Sequence, residues 1–197
     1  FYYLPGGGPM FDMGPYYLTA LVNLLGPVAK VAGLTARAKE ERVCTSELRK
    51  GDVMPVDVQT HVTGLMQFAS GATGTIITSF DVWKHTLPCI EIHGTQGSLS
   101  VPDPNCFGGP VKLCVQRSDF KEMPLSHSYA DNSRGLGVAD MARALRDGDA
   151  FRANGQLASH VLELMHAFHD SSDSGQFVNI QSVCDQPKPM PSGMYVL

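Results

Sequence analysis

Hydrophobic and polar positions change their period along the chain. Apolar residues recur at helical spacing between residues 9 and 25, and Gly26-Pro27 is a typical helix stop. Pro15 lies inside this stretch and removes one backbone donor. The helix is therefore either kinked at Pro15, or a first turn ends and Pro15 opens the main helix as its first residue.

After residue 27 the pattern changes to period two, which is typical of half-buried strands. Strands are predicted at residues 28–42, 57–69, 72–84, 88–93, 98–101, 111–116 and 177–180, with loops at 43–56 and 117–133. The short turn at Ser70-Gly71 predicts a hairpin between the second and third of these strands. Helical spacing returns at residues 137–146 and 156–171.

A helix, a run of antiparallel strands and then further helices predict an α+β fold. We expect an open, mainly antiparallel sheet with helices packed on one face, and one domain over residues 1–197 with a surface tail at 186–197. One predicted sheet face carries lightly polar side chains: Thr73, Thr75, Ser79, Asp81 and Trp83. Such a face suits a subunit interface, a lid over a substrate cleft or a solvated surface.

Composition narrows the class of protein. A net charge of −4 and a pI of about 5.9 argue against a nucleic-acid or anionic-membrane surface. No apolar run approaches the roughly 20 residues that span a bilayer, and no signal-peptide pattern is visible. The five cysteines are scattered, which predicts reduced thiols and a cytoplasmic location. The chain begins with Phe1 rather than Met, so we expect the C-terminal portion of a longer protein.

Asp12 and Tyr16 are the first candidate for chemistry. Residues four apart on a helix share a face, with Cβ atoms roughly 5–6 Å apart. A carboxylate can orient a substrate hydroxyl, and a phenol can donate or take a proton. The preceding run Gly6-Gly7-Gly8 lets another group approach the backbone closely. The alternative is a dipole-favoured helical Asp and a half-buried Tyr.

Arg134 and the histidines are weaker candidates. Residues 134–140 resemble a dinucleotide fingerprint, but Asp140 replaces the third glycine and no strand leads into the segment. Arg134 is instead a candidate contact for an anion or substrate. Glu163-x-x-His166 matches half of a di-iron motif, but its partner helices are missing, so we predict no metal. The helix that carries His160, Glu163, His166 and His169 is interpreted as a solvent-edge face.

The chain resembles the C-terminal domain of the Gfo/Idh/MocA oxidoreductases, which include glucose–fructose oxidoreductase and inositol dehydrogenase. The resemblance rests on ordered motifs: Gly6-Gly7-Gly8-x-x-x-Asp12-Met13-Gly14-x-Tyr16-x-Leu18, Leu24-Leu25-Gly26-Pro27-Val28, the hairpin of residues 68–74, Ile90-Glu91-Ile92-His93-Gly94-Thr95-Gln96-Gly97-Ser98-Leu99, and the late helix leading to Ser171-Ser172 and Val178. It covers nearly all of the chain and implies a dihydrodipicolinate-reductase-like C-terminal fold.

The resemblance also implies a function. In that family an N-terminal Rossmann domain binds NAD or NADP and carries a catalytic lysine, so we expect no cofactor bound to this chain alone. Asp12 would contact a sugar, cyclitol or related polyol, together with Gly8 and Arg134. Tyr16, where many members have His, would transfer the proton, and Gly7 and Gly8 would lie where the nicotinamide approaches.

The open sheet face would form a homodimer or tetramer in such a protein. The competing hypothesis is a non-catalytic module that dimerises through the sheet, with Asp12 and Tyr16 as a structural relic.

Overall fold

The computed structural model describes residues 1–191, which form two compact units. The first unit contains residues 1–83 and 154–187, and the second contains residues 84–153 with the described residues from Lys188 onward. The helices are α1 (Pro9–Leu25), α2 (Leu136–Asp147) and α3 (Gly155–Ser174). The strands are β1 (Val28–Ala36), β2 (Glu41–Val43), β3 (Val53–Pro55), β4 (His61–Phe68), β5 (Thr73–Ser79), β6 (Ile90–His93), β7 (Gly97–Val101), β8 (Val111–Val115), β9 (Lys121–Met123) and β10 (Val178–Asn179).

The first unit is built on a four-stranded sheet in the order β10-β1-β4-β5. Its neighbouring strands are antiparallel, with Gly33 opposite Gly64 and Gly64 opposite Ile76. Helices α1 and α3 contact this sheet and each other. The α+β class and the mainly antiparallel sheets predicted from the sequence are confirmed.

The hydrophobic core of the first unit lies between this sheet and the two helices. Alternation along β4 places its even-numbered residues from Val62 to Phe68 inside. The largest buried side chains include Phe68, Phe168, Met10, Leu18 and Leu164. The odd-numbered Thr63 and Leu65 lie on the opposite, exposed face.

Three glycines let the elements of the first unit approach closely. A Cβ atom on Gly14 of α1 would lie 2.9 Å from Met10 Sδ and 3.2 Å from Met165 Sδ on α3. A Cβ atom on Gly33 would lie 2.2 Å from the Phe168 carbonyl oxygen, and one on Gly64 would lie 2.3 Å from the Phe168 ring. Helix α3 therefore packs almost directly on the backbone of β1 and β4.

The second unit is built on the sheet β6-β7-β8-β9, again with antiparallel neighbours. The buried carboxylate of Asp140 on α2 pairs with the guanidinium of Arg152. That guanidinium also donates to the carbonyl oxygens of Lys188 at 2.9 Å and Pro189 at 3.1 Å. Arg152 therefore anchors residues 188 and 189 of the predicted surface tail at 186–197. Residues 192–197 of that prediction lie outside the described residues.

Some predicted boundaries differ from the structure. Helix α1 runs continuously through Pro15. Strand β1 ends at Ala36, and the predicted loop at 43–56 contains the end of β2, a 3-10 turn at Glu47–Arg49 and β3. Strand β9 lies within the predicted loop at 117–133. These short strands are too brief to show a periodic pattern, and pairing with their neighbours creates them.

No helix in residues 1–191 is both long and apolar enough to cross a bilayer.

Candidate functional site

Asp12 and Tyr16 lie on one face of α1, as their spacing predicts. Asp12 is half-buried in the first turn, where its backbone N–H donates to the Gly8 carbonyl oxygen at 3.0 Å. Tyr16 is 38% exposed. Within residues 1–191, neither the Asp12 carboxylate nor the Tyr16 hydroxyl has a hydrogen-bond or ion-pair partner. Both groups are therefore free to meet a polar ligand.

The glycine run forms a tight turn ahead of α1. Gly8 is the N-cap residue with φ of 98°, a conformation that favours glycine. A Cβ atom on Gly7 would lie 2.4 Å from the Tyr2 carbonyl oxygen. The amide of Gly7 donates to the Leu4 carbonyl and that of Gly8 to the Tyr2 carbonyl, both at 2.8 Å. Close packing within the chain thus accounts for both glycines, and their place beside a cofactor stays a prediction.

A polar cluster supports the peptide that leads into the glycines. The Arg42 guanidinium lies 5.3 Å from the centre of the Tyr3 ring and pairs with the carboxylate of Asp81. The hydroxyl of Thr60 donates to the same carboxylate at 2.6 Å, and the Tyr3 carbonyl accepts from the Asp57 amide at 2.8 Å. Sequence reasoning missed this cluster, because its members are far apart in the chain and share no motif.

Arg134 belongs to the second unit, whereas Asp12 and Tyr16 belong to the first. Its guanidinium lies 5.6 Å from the centre of the Phe107 ring. It lines a cavity of about 440 Å³ together with residues from two loops of the same unit. The sequence placed Arg134 just ahead of a helix, which is correct, but gave no sign of Phe107 as its neighbour.

The histidines of α3 occupy different environments. His160 is fully buried, so the solvent-edge interpretation is wrong for this residue. Its Nε2 accepts from the Val28 amide at 3.1 Å, and its Nδ1 lies 2.8 Å from Ser182 Oγ. Burial lowers the pKa of His160, and it also lowers the pKa of His169, whose ring stacks on Phe11. The partner of His160 is the amide of Val28 on β1, and helical spacing alone does not predict this contact.

The part of the chain that the structure describes contains no Rossmann-type strand–turn–helix unit. Every paired strand among residues 1–191 is antiparallel, and the glycine-containing segment at 134–140 follows an irregular loop rather than a strand. Dinucleotide sites of the Rossmann type need a parallel strand–turn–helix unit with the pyrophosphate at the helix start. No His, Cys, Asp or Glu side chains in the described range cluster in threes around a possible metal position.

Comparison with known protein families identifies the family of this chain. The sequence model of the GFO/IDH/MocA C-terminal domain matches residues 1–100, about half of the chain. The chain belongs to the GFO/IDH/MocA C-terminal domain family. The matched region includes α1 with Asp12 and Tyr16, together with the sheet of the first unit up to β5. A search of the curated proteins gives no match.

Solved structures share the fold of this family member. An apo levoglucosan dehydrogenase superposes with a TM-score of 0.74 at 18% identity, covering 92% of this chain and 53% of that one. An NAD binding oxidoreductase from Klebsiella pneumoniae gives a TM-score of 0.71 at 20% identity, covering 91% and 52%. An aldose-aldose oxidoreductase from Caulobacter crescentus complexed with glycerol gives 0.66 at 18%, covering 89% and 48%. The chain therefore spans about half the length of these structures.

Proposed function

We propose that this chain is the substrate-binding domain of an NAD- or NADP-dependent oxidoreductase that acts on a sugar, cyclitol or related polyol. The observation that carries the proposal is the pair of unpartnered groups, the Asp12 carboxylate and the Tyr16 hydroxyl, on one face of α1 in a member of this family. The fold supports it, because a levoglucosan dehydrogenase in complex with NADH and levoglucosan matches with a TM-score of 0.67.

Asp12 would bind and orient the substrate. An ionised carboxylate only accepts hydrogen bonds, so it suits the hydroxyl groups of a polyol. It lies in the first turn of α1, at the positive end of the helix dipole. Gly8, the N-cap residue, is the further proposed substrate contact in the first unit.

Tyr16 would hold or take the proton of the substrate hydroxyl whose carbon reacts. A half-exposed phenol can reach a ligand while its ring remains anchored by the helix. The nicotinamide, when bound by another part of the protein, supplies the hydride chemistry. We place Gly7 and Gly8 on the side that the nicotinamide approaches. Since residues 1–191 contain no Rossmann-type unit, we expect the chain alone to be inactive.

Replacement of Tyr16 tests the proposal in the complete enzyme. Tyr16→Phe removes only the hydroxyl, and we expect kcat to fall by about 10²- to 10⁴-fold with a small change in KM, because loss of a positioned general acid–base group has that effect. Tyr17→Phe is the matched control, since its ring packs against the core next to Tyr16 and kcat should stay near the wild-type value. An unchanged kcat in Tyr16→Phe contradicts the proposed role.

A second candidate function is oligomerisation through the open face of the four-stranded sheet. Three apolar side chains are exposed on this face: Leu34 at 72%, Leu65 at 51% and Ile77 at 52%. Leu34 and Ile77 both lie opposite Thr63, so they flank it on the neighbouring strands. An apolar row on an otherwise polar face favours a homodimer or tetramer. Oligomerisation is compatible with the catalytic proposal. In the non-catalytic alternative, oligomerisation would be the only role of the chain.

A further inference from the structure

The cavity beside Arg134 is formed entirely within the second unit. It is open to solvent over most of its surface and has a volume of about 440 Å³. One wall comes from the segment 105–109 and the other from the segment 130–134. The two walls meet at Gly108, where a Cβ atom would lie 2.6 Å from the Ala130 carbonyl oxygen.

Arg134 supplies a cation without an acidic partner. Its guanidinium lies 5.6 Å from the centre of the Phe107 ring, which restricts the side chain without neutralising its charge. Asp131 also lines the cavity, yet the two form no ion pair, and Arg134 pairs with no other carboxylate in residues 1–191. An arginine held in this way presents a planar fork of donors that matches a carboxylate.

Two acceptors in the lining have no donor. The side-chain oxygen of Asn105 is buried and has no hydrogen-bond partner in the described part of the chain. The backbone of Asn105 is fixed, because its amide donates to Asp103 Oδ1 at 2.9 Å. The carboxylate of Asp131 is exposed and accepts no hydrogen bond from residues 1–191, so a ligand hydroxyl can reach it.

We propose that this cavity binds a polyhydroxy acid, such as a uronic acid. The ligand carboxylate would pair with Arg134, and one of its hydroxyl groups would donate to the exposed carboxylate of Asp131. Asp131 also sets a limit, because a second carboxylate near it would be repelled. The site therefore suits a monoacid with free hydroxyls better than a neutral sugar or a diacid. This inference goes beyond the proposed function, and a binding measurement tests it without any catalytic turnover.

The test compares ligands that differ at one group. D-glucuronate and D-glucose share the same ring and differ only at C6, which is a carboxylate in glucuronate. In calorimetric titrations of the purified protein we expect glucuronate to bind about 10-fold more tightly than glucose, the scale of one charge-assisted contact. Equal affinity for glucuronate and glucose overturns the proposal.

Cysteine alkylation locates the bound ligand. Cys106 is exposed and lines the cavity, whereas Cys89 is exposed in the same unit outside the lining. Glucuronate should slow the reaction of Cys106 with iodoacetamide, measured by peptide mass spectrometry, and leave Cys89 unchanged. Binding without selective protection of Cys106 places the ligand elsewhere and overturns the assignment.

Two variants test the role of Arg134. Arg134→Met keeps an apolar stem against Phe107 and should abolish the preference for glucuronate over glucose. Arg117→Met, which removes an exposed arginine of the same unit outside the cavity, should keep that preference. Circular dichroism verifies that both variants are folded. A folded Arg134→Met protein that retains the preference overturns the proposal, whatever the result of the turnover assay with Tyr16→Phe.

Discussion

His160 Nε2 accepts a hydrogen bond from the Val28 backbone amide at 3.1 Å, and this bond ties α3 to the first residue of β1. The other ring nitrogen lies 2.8 Å from the Ser182 hydroxyl, just beyond β10. Since an amide can only donate, Nε2 must be unprotonated. The Glu163 carboxylate accepts from the Gln181 and Ser182 amides at 2.7 and 2.8 Å and is the nearby charged group.

Acid should therefore destabilise the first unit. Burial lowers the pKa of His160 in the folded protein below its ordinary value of 6.5. The unfolded chain consequently binds more protons as the pH falls below about 6.5, and the free energy of unfolding should decrease between about pH 7 and pH 5. His169, with a pKa also lowered by burial, contributes in the same direction. Urea unfolding across this pH range measures the slope.

Substitution separates His160 from the other titrating groups. His160→Gln should lower the stability at pH 7, because the buried geometry is disturbed, and it should flatten the pH dependence above pH 5. His169, whose pKa burial also lowers, contributes to the residual slope. His85→Gln removes an exposed histidine and should keep the wild-type slope. A His160→Gln protein with the full wild-type slope would contradict the assignment.

Gly33→Ala should destabilise the first unit strongly. The new Cβ atom would lie 2.2 Å from the backbone carbonyl oxygen of Phe168 on α3. This oxygen cannot move away unless the whole of α3 shifts. Overpacking of this kind costs about 1–3 kcal/mol or more. Gly74→Ala is the matched control on β5, because its Cβ atom would meet Met66 and Phe68 at an ordinary 3.5 Å. Chemical denaturation should show a large loss only for Gly33→Ala.

Leu65→Glu should weaken self-association if the open sheet face forms the subunit interface. The side chain lies in the middle of this face and is 51% exposed in the single chain, so a charge there would be desolvated on assembly. Leu48→Glu is the control, since Leu48 is 98% exposed in the 3-10 turn outside this sheet. Sedimentation equilibrium should show dissociation for Leu65→Glu alone. Identical association of both variants and the wild type rules out this face.

Arg152→Met should loosen the second unit. It leaves the Asp140 carboxylate, whose side chain is 3% exposed, without its guanidinium, and removing one partner of a buried pair costs about 3–5 kcal/mol. The contacts of Arg152 with the Lys188 and Pro189 carbonyls would be lost, so amide hydrogen exchange should accelerate at Lys188 and at Met190, the next residue with an amide hydrogen. Arg146→Met, which breaks an exposed pair with Asp147, should leave exchange at these positions unchanged. Equal exchange in both variants would contradict the anchoring role.

The sequence by itself determined the features that depend on nearby residues. Spacing placed α1 at residues 9–25 and put Asp12 and Tyr16 on one of its faces, since a helix repeats every 3.6 residues. Alternation predicted the strand at 57–69 that contains β4, and the ordered motifs identified the family. Local geometry is sufficient for each of these conclusions.

Only the tertiary structure decided which distant residues meet. His160 lies 132 positions from Val28, and its burial depends on the strand that covers it. The strands β2, β3 and β9 exist through pairing rather than through a pattern of their own. The Arg134 cavity arises because two loops converge at Gly108. Long-range packing determines these contacts, and no periodic pattern of neighbouring residues in the sequence predicts them.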